Sequence, residues 1–213
     1  SPAKSNSYGE LIRADKHRVV RATERLQLLE KKVPQSTAGS KPRTFGRAST
    51  QAVLFYLTNS LPHTKSGYTY RTHNTLLALK QSGIRVAAMT RLAYPLVIGK
   101  WPKNGCEAVE GIPYFRSLPR SYPGSLIERL EAEVDLLVGQ AREFGADILH
   151  TTTDYNNALV VAEAARQLGI PWVYEVRGEL ESTWLSKQPA ERQKSLVKSD
   201  FYQLAREQET ACM

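Results

Sequence analysis

The sequence has few cysteines and no long hydrophobic run, and both features exclude whole classes of protein. Cys106 and Cys212 are the only cysteines, and they lie far apart, which argues against a disulfide framework or a zinc cluster and favours a reducing compartment. No apolar stretch approaches the length of a membrane span, and no signal-peptide h-region lies near the start. We therefore predict a cytoplasmic protein without a metal site.

Several catalytic fingerprints are also missing. No G-x-G-x-x-G motif follows the first predicted strand, which disfavours a dinucleotide oxidoreductase. The chain has no G-x-S-x-G elbow and no Cys/His pair of the kind that marks a nucleophile. The sequence therefore assigns no catalytic dyad, and we predict no cofactor.

Positive charge is concentrated near the N-terminus. The formal net charge is +8, yet residues 1–50 hold eleven Lys and Arg against four Asp and Glu, whereas residues 51–213 hold eighteen against seventeen. The basic balance is thus a property of the N-terminal segment and says little about the ligand of the remainder. Because the chain begins at Ser1 and stops at Met213 within a helix-compatible run, we expect it to be a piece of a longer protein.

Residues 1–33 are predicted to form a basic amphipathic helix. Residues 10–32 contain no glycine or proline and consist largely of good helix formers. A heptad pattern with one polar interruption runs through Tyr8, Ile12, Asp15, Val19, Ala22, Leu26, Leu29 and Val33. Three interpretations stay open: packing on its own domain or a neighbouring chain, a self-associating coiled coil, and contact with an anionic membrane. No base-reading motif supports nucleic-acid binding.

The rest of the chain has the pattern of an α/β domain. Residues 34–50, rich in Ser, Thr, Gly, Pro and basic residues, form a predicted linker. Over residues 51–213 strands alternate with helices, which predicts a Rossmann-like, doubly wound parallel sheet. Strands are expected at 52–57, 84–89, 112–118, 147–150 and 171–176, and helices at 67–82, 125–144, 156–168 and from 187 onward. The segment 91–111 is expected to be mostly loop.

Polar residues cluster in three loops that follow strands. Right-handed crossovers place the strand exits of a parallel sheet on one edge, so loops 58–68, 150–157 and 177–181 are expected to converge there. The first of these loops joins a buried strand to a helix and offers backbone N–H groups to an anion. The candidate ligand-binding residues are Ser66, Gly67, Tyr68, Arg71, His73, His150, Asp154, Asn156, Asn157, Arg177, Gly178 and Glu179.

Each candidate also has a purely structural interpretation. Ser66 and Gly67 would either contact a phosphate or form an ordinary tight turn. Arg71 and His73, on the first turns of the helix, would either bind a ligand or face solvent. His150 would be a half-buried histidine bonded to a carbonyl. Asp154 or one of the two asparagines after it caps a helix. The stronger candidate is Arg177-Gly178-Glu179, because a charged pair at a strand-exit turn has little packing purpose. The structural alternative is an ion pair between Arg177 and a glutamate that merely stiffens the loop.

Three stretches resemble the N-terminal domain of GT-B retaining glycosyltransferases of family 4. The first is VLFYLTNSLP at residues 53–62, followed by SGY at 66–68 and RTH at 71–73. The others are ADILH at 146–150, similar to the family's "ADVIH"-type strand, and PWVYEVRG at 171–178. The resemblance covers residues 52 to about 185, and its specificity comes from the three motifs standing in this order.

The resemblance implies one half of a GT-B fold, the half that holds the acceptor. A second Rossmann-like domain, not contained in these 213 residues, would bind the nucleotide-sugar donor, and transfer would occur in the cleft between the two. The full-length protein would then transfer a sugar to a sugar or lipid-linked acceptor, as in surface-polysaccharide synthesis. It would act in the cytoplasm or peripherally on the inner membrane face, and the fragment alone would be inactive. The twelve candidates would bind donor or acceptor.

The sequence also departs from the family pattern. Many members carry two or three glycines in the first loop, where this chain has only Gly67. Some members have a second histidine at the position occupied here by Thr152. Two alternatives therefore stay open: half of a sugar-nucleotide epimerase with the same architecture, and a non-catalytic scaffold made of a coiled-coil helix and a Rossmann-like module.

Overall fold

The fold is a six-stranded sheet covered by helices on both faces. The computed structural model describes residues 18–32, 51–152 and 154–212. The strands are β1 (Ala52–Leu57), β2 (Arg85–Thr90), β3 (Cys106–Val109), β4 (Ile112–Arg116), β5 (Ile148–Thr152) and β6 (Trp172–Glu175). The helices are α1, described over residues 18–30, then α2 (Gly67–Gln81), α3 (Leu126–Phe144), α4 (Tyr155–Leu168), α5 (Leu180–Ser186), α6 (Ala190–Leu196) and α7 (Asp200–Ala211).

The strand order β3-β4-β2-β1-β5-β6 makes a doubly wound sheet. All neighbouring pairs are parallel except β3 with β4, which form an antiparallel hairpin. The order reverses beside β1, because the chain runs outward through β2 and β4 and then returns to β5 on the other side. Ligands of open α/β sheets bind outside the carboxyl ends of the strands at such a switch point. The predicted fold class is confirmed.

One strand was not expected from the sequence. β3 lies in the segment 91–111, which was predicted to be mostly loop. Its four residues are too few for a period-two pattern to stand out, and it forms only at the sheet edge, where β4 pairs with it. The hairpin turns through Glu110 and Gly111, both with positive φ, a conformation that glycine adopts without a steric penalty.

Successive residues of the central strand face opposite layers of the core. Val53, Phe55 and Leu57 of β1 pack with Leu76 of α2 on one face. Leu54 and Tyr56 point to the other face, where α3, α4 and α7 cover the sheet. All six residues of β1 are buried, as the unbroken apolar run predicts.

The predicted helix boundaries hold where capping residues are present. Ser66 and Ser125 form capping boxes at the starts of α2 and α3, and left-handed Gly145 and Gly169 end α3 and α4. The continuous helix predicted from residue 187 is wrong. That region begins at Lys187, the C-cap of α5, and holds two separate helices, because Pro189 and Ser199 each cap the start of a new one.

The described part of α1 is anchored through its C-terminal end. Leu28 and Leu29 are buried in the larger core layer, and Gln208 Nε2 of α7 donates a hydrogen bond to the Leu29 carbonyl at 2.5 Å. The heptad residues Val19, Ala22 and Leu26 remain exposed. The other predicted heptad positions (Tyr8, Ile12, Asp15, Val33) and the predicted linker at 34–50 lie outside the described residues.

None of the helices in the described ranges combines the length and apolar character that a membrane crossing requires.

Candidate functional site

A cavity of about 270 Å³ opens at the carboxyl edge of the sheet, beside the switch point between β1 and β5. It is lined by Leu57, Thr58, Asn59, Ser66, Tyr68, Thr72, Thr152, Asp154, Arg177, Gly178, Glu179, Leu180 and Thr183. All three loops that the sequence brings to this edge contribute to the lining. Backbone direction alone accounts for this convergence, because parallel strands end at the same edge.

The N-terminus of α2 forms one wall of the cavity. Ser66 Oγ accepts from Thr69 N–H at 3.3 Å, and Thr69 Oγ1 accepts from Ser66 N–H at 2.9 Å. The first N–H groups of a helix have no intrahelical acceptor, so those of Gly67 and Tyr68 remain available within the described part of the chain. A Cβ on Gly67 would meet nothing within 4 Å, so open space lies in front of this helix start.

Arg177 also borders the cavity and is hydrogen-bonded to the same helix. Its side chain is only 3% exposed, and its Nη1 donates to the Tyr68 carbonyl at 3.1 Å and to Thr72 Oγ1 at 2.6 Å. Its Nη2 donates to Glu175 Oε2 at 2.6 Å. A buried guanidinium and the positive end of a helix dipole therefore flank one cavity, an arrangement that favours an anionic group.

Glu175 is the charged residue of this network that the sequence did not single out. Its Oε1 forms an ion pair with Arg71 Nη2 at 2.7 Å, and its Oε2 accepts a hydrogen bond from Arg177 Nη2. Burial alone would raise the pKa of Glu175, but the hydrogen bond and charge of Arg177, together with Arg71, hold that pKa below its usual range. The sequence signal that could have indicated Glu175 is its position as the last residue of β6, at the carboxyl edge of the sheet.

His150 lies behind this network and does not line the cavity. Its ring stacks on Phe55 at a centroid distance of 4.1 Å, and its Nε2 is 3.6 Å from Glu175 Oε2. Burial lowers the pKa of His150, although Glu175 opposes the effect. Because the stacked ring does not line the cavity, its position matches the structural interpretation more closely than that of a general base.

The structure also places other candidates away from the cavity. His73 is 2% exposed and its Nδ1 is hydrogen-bonded to Tyr114 Oη at 2.8 Å. Asn157 is buried and donates to Thr58 Oγ1 and to the Thr152 carbonyl. The expectation that these two side chains face a ligand is corrected, because each is turned into the domain.

Asp154 caps α4 and still reaches the cavity. Its Oδ1 accepts from the N–H of Asn156 at 3.1 Å and from Nδ2 of the same residue at 3.0 Å. Asn156 therefore holds the cap and is absent from the lining. Glu179 lines the cavity, with its carboxylate accepting from Ser182 Oγ at 2.5 Å. Arg71 is 61% exposed and acts here through its ion pair with Glu175.

Hydroxyl groups complete the lining and were not predicted. Thr58, Thr72, Thr152 and Thr183 all border the cavity. Threonine has no distinctive sequence pattern at such positions, so only the fold reveals them. No group of three or more His, Cys, Asp or Glu side chains within the described ranges is arranged to hold a metal ion.

A second charged cluster lies on the other half of the same edge. Arg116, whose side chain is fully buried, donates from Nε to Glu107 Oε2 at 2.8 Å and from Nη1 to Ser60 Oγ at 2.7 Å. His63 Nε2 lies 2.7 Å from the same Glu107 oxygen. Burial alone would raise the pKa of Glu107, but hydrogen bonds from His63, Lys103 N–H and Arg116 outweigh it and lower that pKa. This cluster fastens the β1–α2 loop to the β3–β4 hairpin.

Comparison with protein families identifies the class. Residues 66–209 match the model of the glycosyl transferase 4-like domain, which spans more than half of the chain. The protein therefore belongs to the glycosyl transferase 4-like family, and its architecture is a Rossmann-like, doubly wound α/β sheet. No curated protein sequence matches the chain at a significant level.

Solved structures show only distant similarity. Sucrose-phosphate synthase from Thermosynechococcus elongatus is 15% identical with a TM-score of 0.47, over 70% of this chain and 40% of that one. A glycosyltransferase from Rickettsia africae is 15% identical with a TM-score of 0.39, over 65% of this chain and 34% of that one. The C-terminal domain of a Pyrococcus furiosus hydrogenase is 11% identical with a TM-score of 0.40, over 59% and 90%. These similarities are too distant to bear on activity or substrate.

Proposed function

We propose that this chain is the acceptor-binding, N-terminal half of a retaining glycosyltransferase. The whole enzyme would transfer a sugar from a nucleotide-sugar donor to a sugar or lipid-linked acceptor. A second α/β domain would hold most of the donor, and the 213 residues alone would be inactive. The domain assignment that goes with this proposal is a helix at 1–33, a linker at 34–50 and the glycosyltransferase domain from 51 onward.

The observation that supports the proposal most directly is the pairing of Arg177 with the start of α2. Arg177, with its buried guanidinium, borders the same cavity as Ser66 and Tyr68, the residues on either side of Gly67 at the start of α2. Diphosphate groups bind where helix N–H groups and a guanidinium converge. The donor's diphosphate would therefore contact this wall, while the threonine hydroxyls and Asp154 would bind hydroxyl groups of the acceptor.

The remaining parts of the proposal concern the biological process and the cellular location. We propose that the reaction serves polysaccharide synthesis and that the protein acts in the cytoplasm, with or without peripheral contact with the inner membrane face. Family membership supports the sugar chemistry in general. The acceptor, the donor sugar and the site of action depend on direct measurement.

Binding of inorganic pyrophosphate tests whether Arg177 and the start of α2 bind a diphosphate group. We expect isothermal titration to show binding that Arg177→Met weakens by about tenfold, the effect of one lost charge-assisted contact. Arg142→Met is the matched control, because Arg142 is an exposed residue in the last turn of α3. Unchanged affinity in the Arg177 variant would contradict the proposal.

A second substitution keeps the test informative if Arg177→Met is poorly folded. Gly67→Asp adds a carboxylate where a Cβ meets no atom, and an acidic residue at a helix start is compatible with the helix dipole. The variant should fold normally and lose pyrophosphate binding. Transfer activity is checked separately by incubating the 213-residue chain with labelled nucleotide sugars and simple sugar acceptors, and product formation would refute the predicted inactivity.

A further inference from the structure

An exposed apolar surface stands beside the candidate site and plays no part in it. Four large apolar side chains in the β2–β3 loop are solvent-exposed: Leu96 by 37%, Val97 by 53%, Ile98 by 46% and Trp101 by 84%. Single exposed apolar residues are common on protein surfaces, but four within six positions are unusual and mark an interaction surface.

The backbone of this loop is fixed, so the exposure is a property of the fold. Tyr94, which is buried, exchanges hydrogen bonds with Ser60 and Thr64 through its hydroxyl. A 3-10 turn at Leu96–Ile98 follows, and Lys100 Nζ donates to the His63 carbonyl. The loop is thus tied to the β1–α2 loop while its apolar side chains point to solvent.

A second loop extends the same surface. Ala93 N–H donates to the Ser117 carbonyl at 2.7 Å, which joins the β2–β3 loop to the β4–α3 loop. In the latter, Leu118 is 40% and Tyr122 is 49% exposed. The guanidinium of Arg129 lies 4.7 Å from the centroid of the Tyr122 ring. We call residues 96–101 and 118–122 together the apolar loop surface.

The charged residues within the loops at this surface have one sign. Residues 58–66, 91–105 and 117–125 contain no Asp or Glu, whereas they contain Lys65, Arg91, Lys100, Lys103 and Arg120. The carboxylate of Glu107 is buried in its pairing with Arg116 and His63, and Glu110 lies in the β3–β4 turn, at the amino end of β4 and so at the opposite edge of the sheet. At the margin, the Glu128 carboxylate accepts from the Gly124 and Ser125 N–H groups, and Glu133 accepts from Leu92 N–H. The loops that carry the apolar loop surface therefore hold positive charges only, and these two neighbouring carboxylates are bonded to backbone N–H groups.

We propose that the apolar loop surface docks on an anionic lipid membrane. Trp101 and the neighbouring aliphatic side chains would enter the boundary between headgroups and acyl chains, while lysine and arginine side chains would contact phosphate groups. Apolar residues with Lys, Arg and Trp at their margin are typical of such interfacial contacts. A protein partner is less well matched, because protein interfaces are depleted in lysine. The proposal deepens the peripheral membrane contact included in the proposed function, does not depend on the sugar chemistry, and differs from membrane contact through α1.

Vesicle cosedimentation tests the proposal. We expect the protein to bind vesicles of phosphatidylcholine and phosphatidylglycerol at low salt, to bind pure phosphatidylcholine weakly, and to be released by high salt. Val97→Ser, Ile98→Ser and Trp101→Ser combined should lower the partition coefficient by about tenfold or more, since apolar insertion is lost. All three side chains are exposed, so folding should be preserved, which circular dichroism checks.

Two control variants locate the contact. Val173→Ser with Val176→Ser removes similarly exposed valines from the β6 edge and should leave vesicle binding unchanged. Val19→Ser with Leu26→Ser removes exposed residues of α1 and should also leave it unchanged. Failure of the unaltered protein to bind anionic vesicles would overturn the proposal, as would loss of binding only in the α1 variant. Sedimentation showing a dimer that the triple variant dissociates would assign the surface to a second copy of the chain instead.

Discussion

Two clusters of histidine, glutamate and arginine stand at opposite halves of the same sheet edge. In the β4 half, Arg116 and His63 both lie within 2.8 Å of the same oxygen of Glu107. In the β6 half, Arg177 lies 2.6 Å from Glu175, but His150 is 3.6 Å away. The same three residue types thus form a closed cluster in one half and a looser one in the other.

The difference separates a structural fastening from a candidate site. Arg116 donates to Glu107, to Ser60 and to the Leu61 carbonyl. These hydrogen bonds hold the β1–α2 loop against the β3–β4 hairpin. Arg177 also borders an open cavity beside the start of α2. A charged cluster in a sequence therefore indicates a ligand site only when the fold leaves space in front of it.

Removing the buried arginine of the closed cluster should have the largest effect. Arg116→Met leaves the Glu107 carboxylate buried with one partner fewer, and we expect the free energy of unfolding to fall by about 3 kcal/mol. Urea denaturation measures the change. Arg120→Met, at an exposed position in the adjacent loop, is the control and should change stability by less than about 0.5 kcal/mol.

A second substitution, which removes the charge of Glu107, tests the same cluster. Glu107→Gln in the Arg116→Met background removes the unpaired charge and should recover part of the lost stability. A loss for Arg116→Met no larger than that for Arg120→Met would show that the cluster does not fasten the two loops.

The looser cluster should respond to pH. Burial lowers the pKa of His150 in the folded protein, so the unfolded chain takes up a proton first as pH falls. The stabilising contribution is complete above the ordinary histidine pKa of about 6.5 and is lost as the pH falls through the lowered value of the folded state. The free energy of unfolding should decrease over that window, and His150→Gln should reduce the slope.

Titration of the imidazole by NMR checks this prediction directly. The His150 ring signals should change at a pH below the ordinary histidine value. A midpoint at or above that value would mean that Glu175 dominates over burial, and the two clusters would then be more alike than their distances indicate.

The smallest effect is expected from Gly67→Ala. The added methyl group meets no atom within 4 Å, and Gly67 has no positive φ, so the free energy of unfolding should change by less than about 0.5 kcal/mol. Pyrophosphate binding, measured by titration calorimetry, should weaken if the anion approaches the helix backbone closely. Unchanged binding would place the anion nearer Arg177 than the start of α2.

Much of the fold followed from local signals. The apolar run at residues 52–57, the serine caps and the glycines after α3 and α4 each fix an element by burial or backbone conformation. β3 was missed because a four-residue edge strand depends on its partner β4. The breaks before α6 and α7 were missed because helix-favouring composition does not reveal where a chain must turn to pack.

The candidate site was predicted less completely than the fold. The three loops could be placed on one edge because parallel strands share a direction, and Arg177 was among their residues. Whether a side chain on those loops faces the cavity depends on rotamer and packing. His73 is hydrogen-bonded to Tyr114, and Asn157 donates to the Thr58 hydroxyl and the Thr152 carbonyl. Glu175 joins the network from a strand end.

The sequence by itself determined that strands and helices alternate, that the central strand is buried on both faces, and that polar loops meet at one edge. These properties depend on hydrophobic periodicity and on backbone direction, which are local or topological. Only the tertiary structure decided which His–Glu–Arg cluster closes on itself and which borders a cavity. It also decided that Leu96–Ile98 and Trp101 stay exposed, because burial depends on what the rest of the chain leaves uncovered.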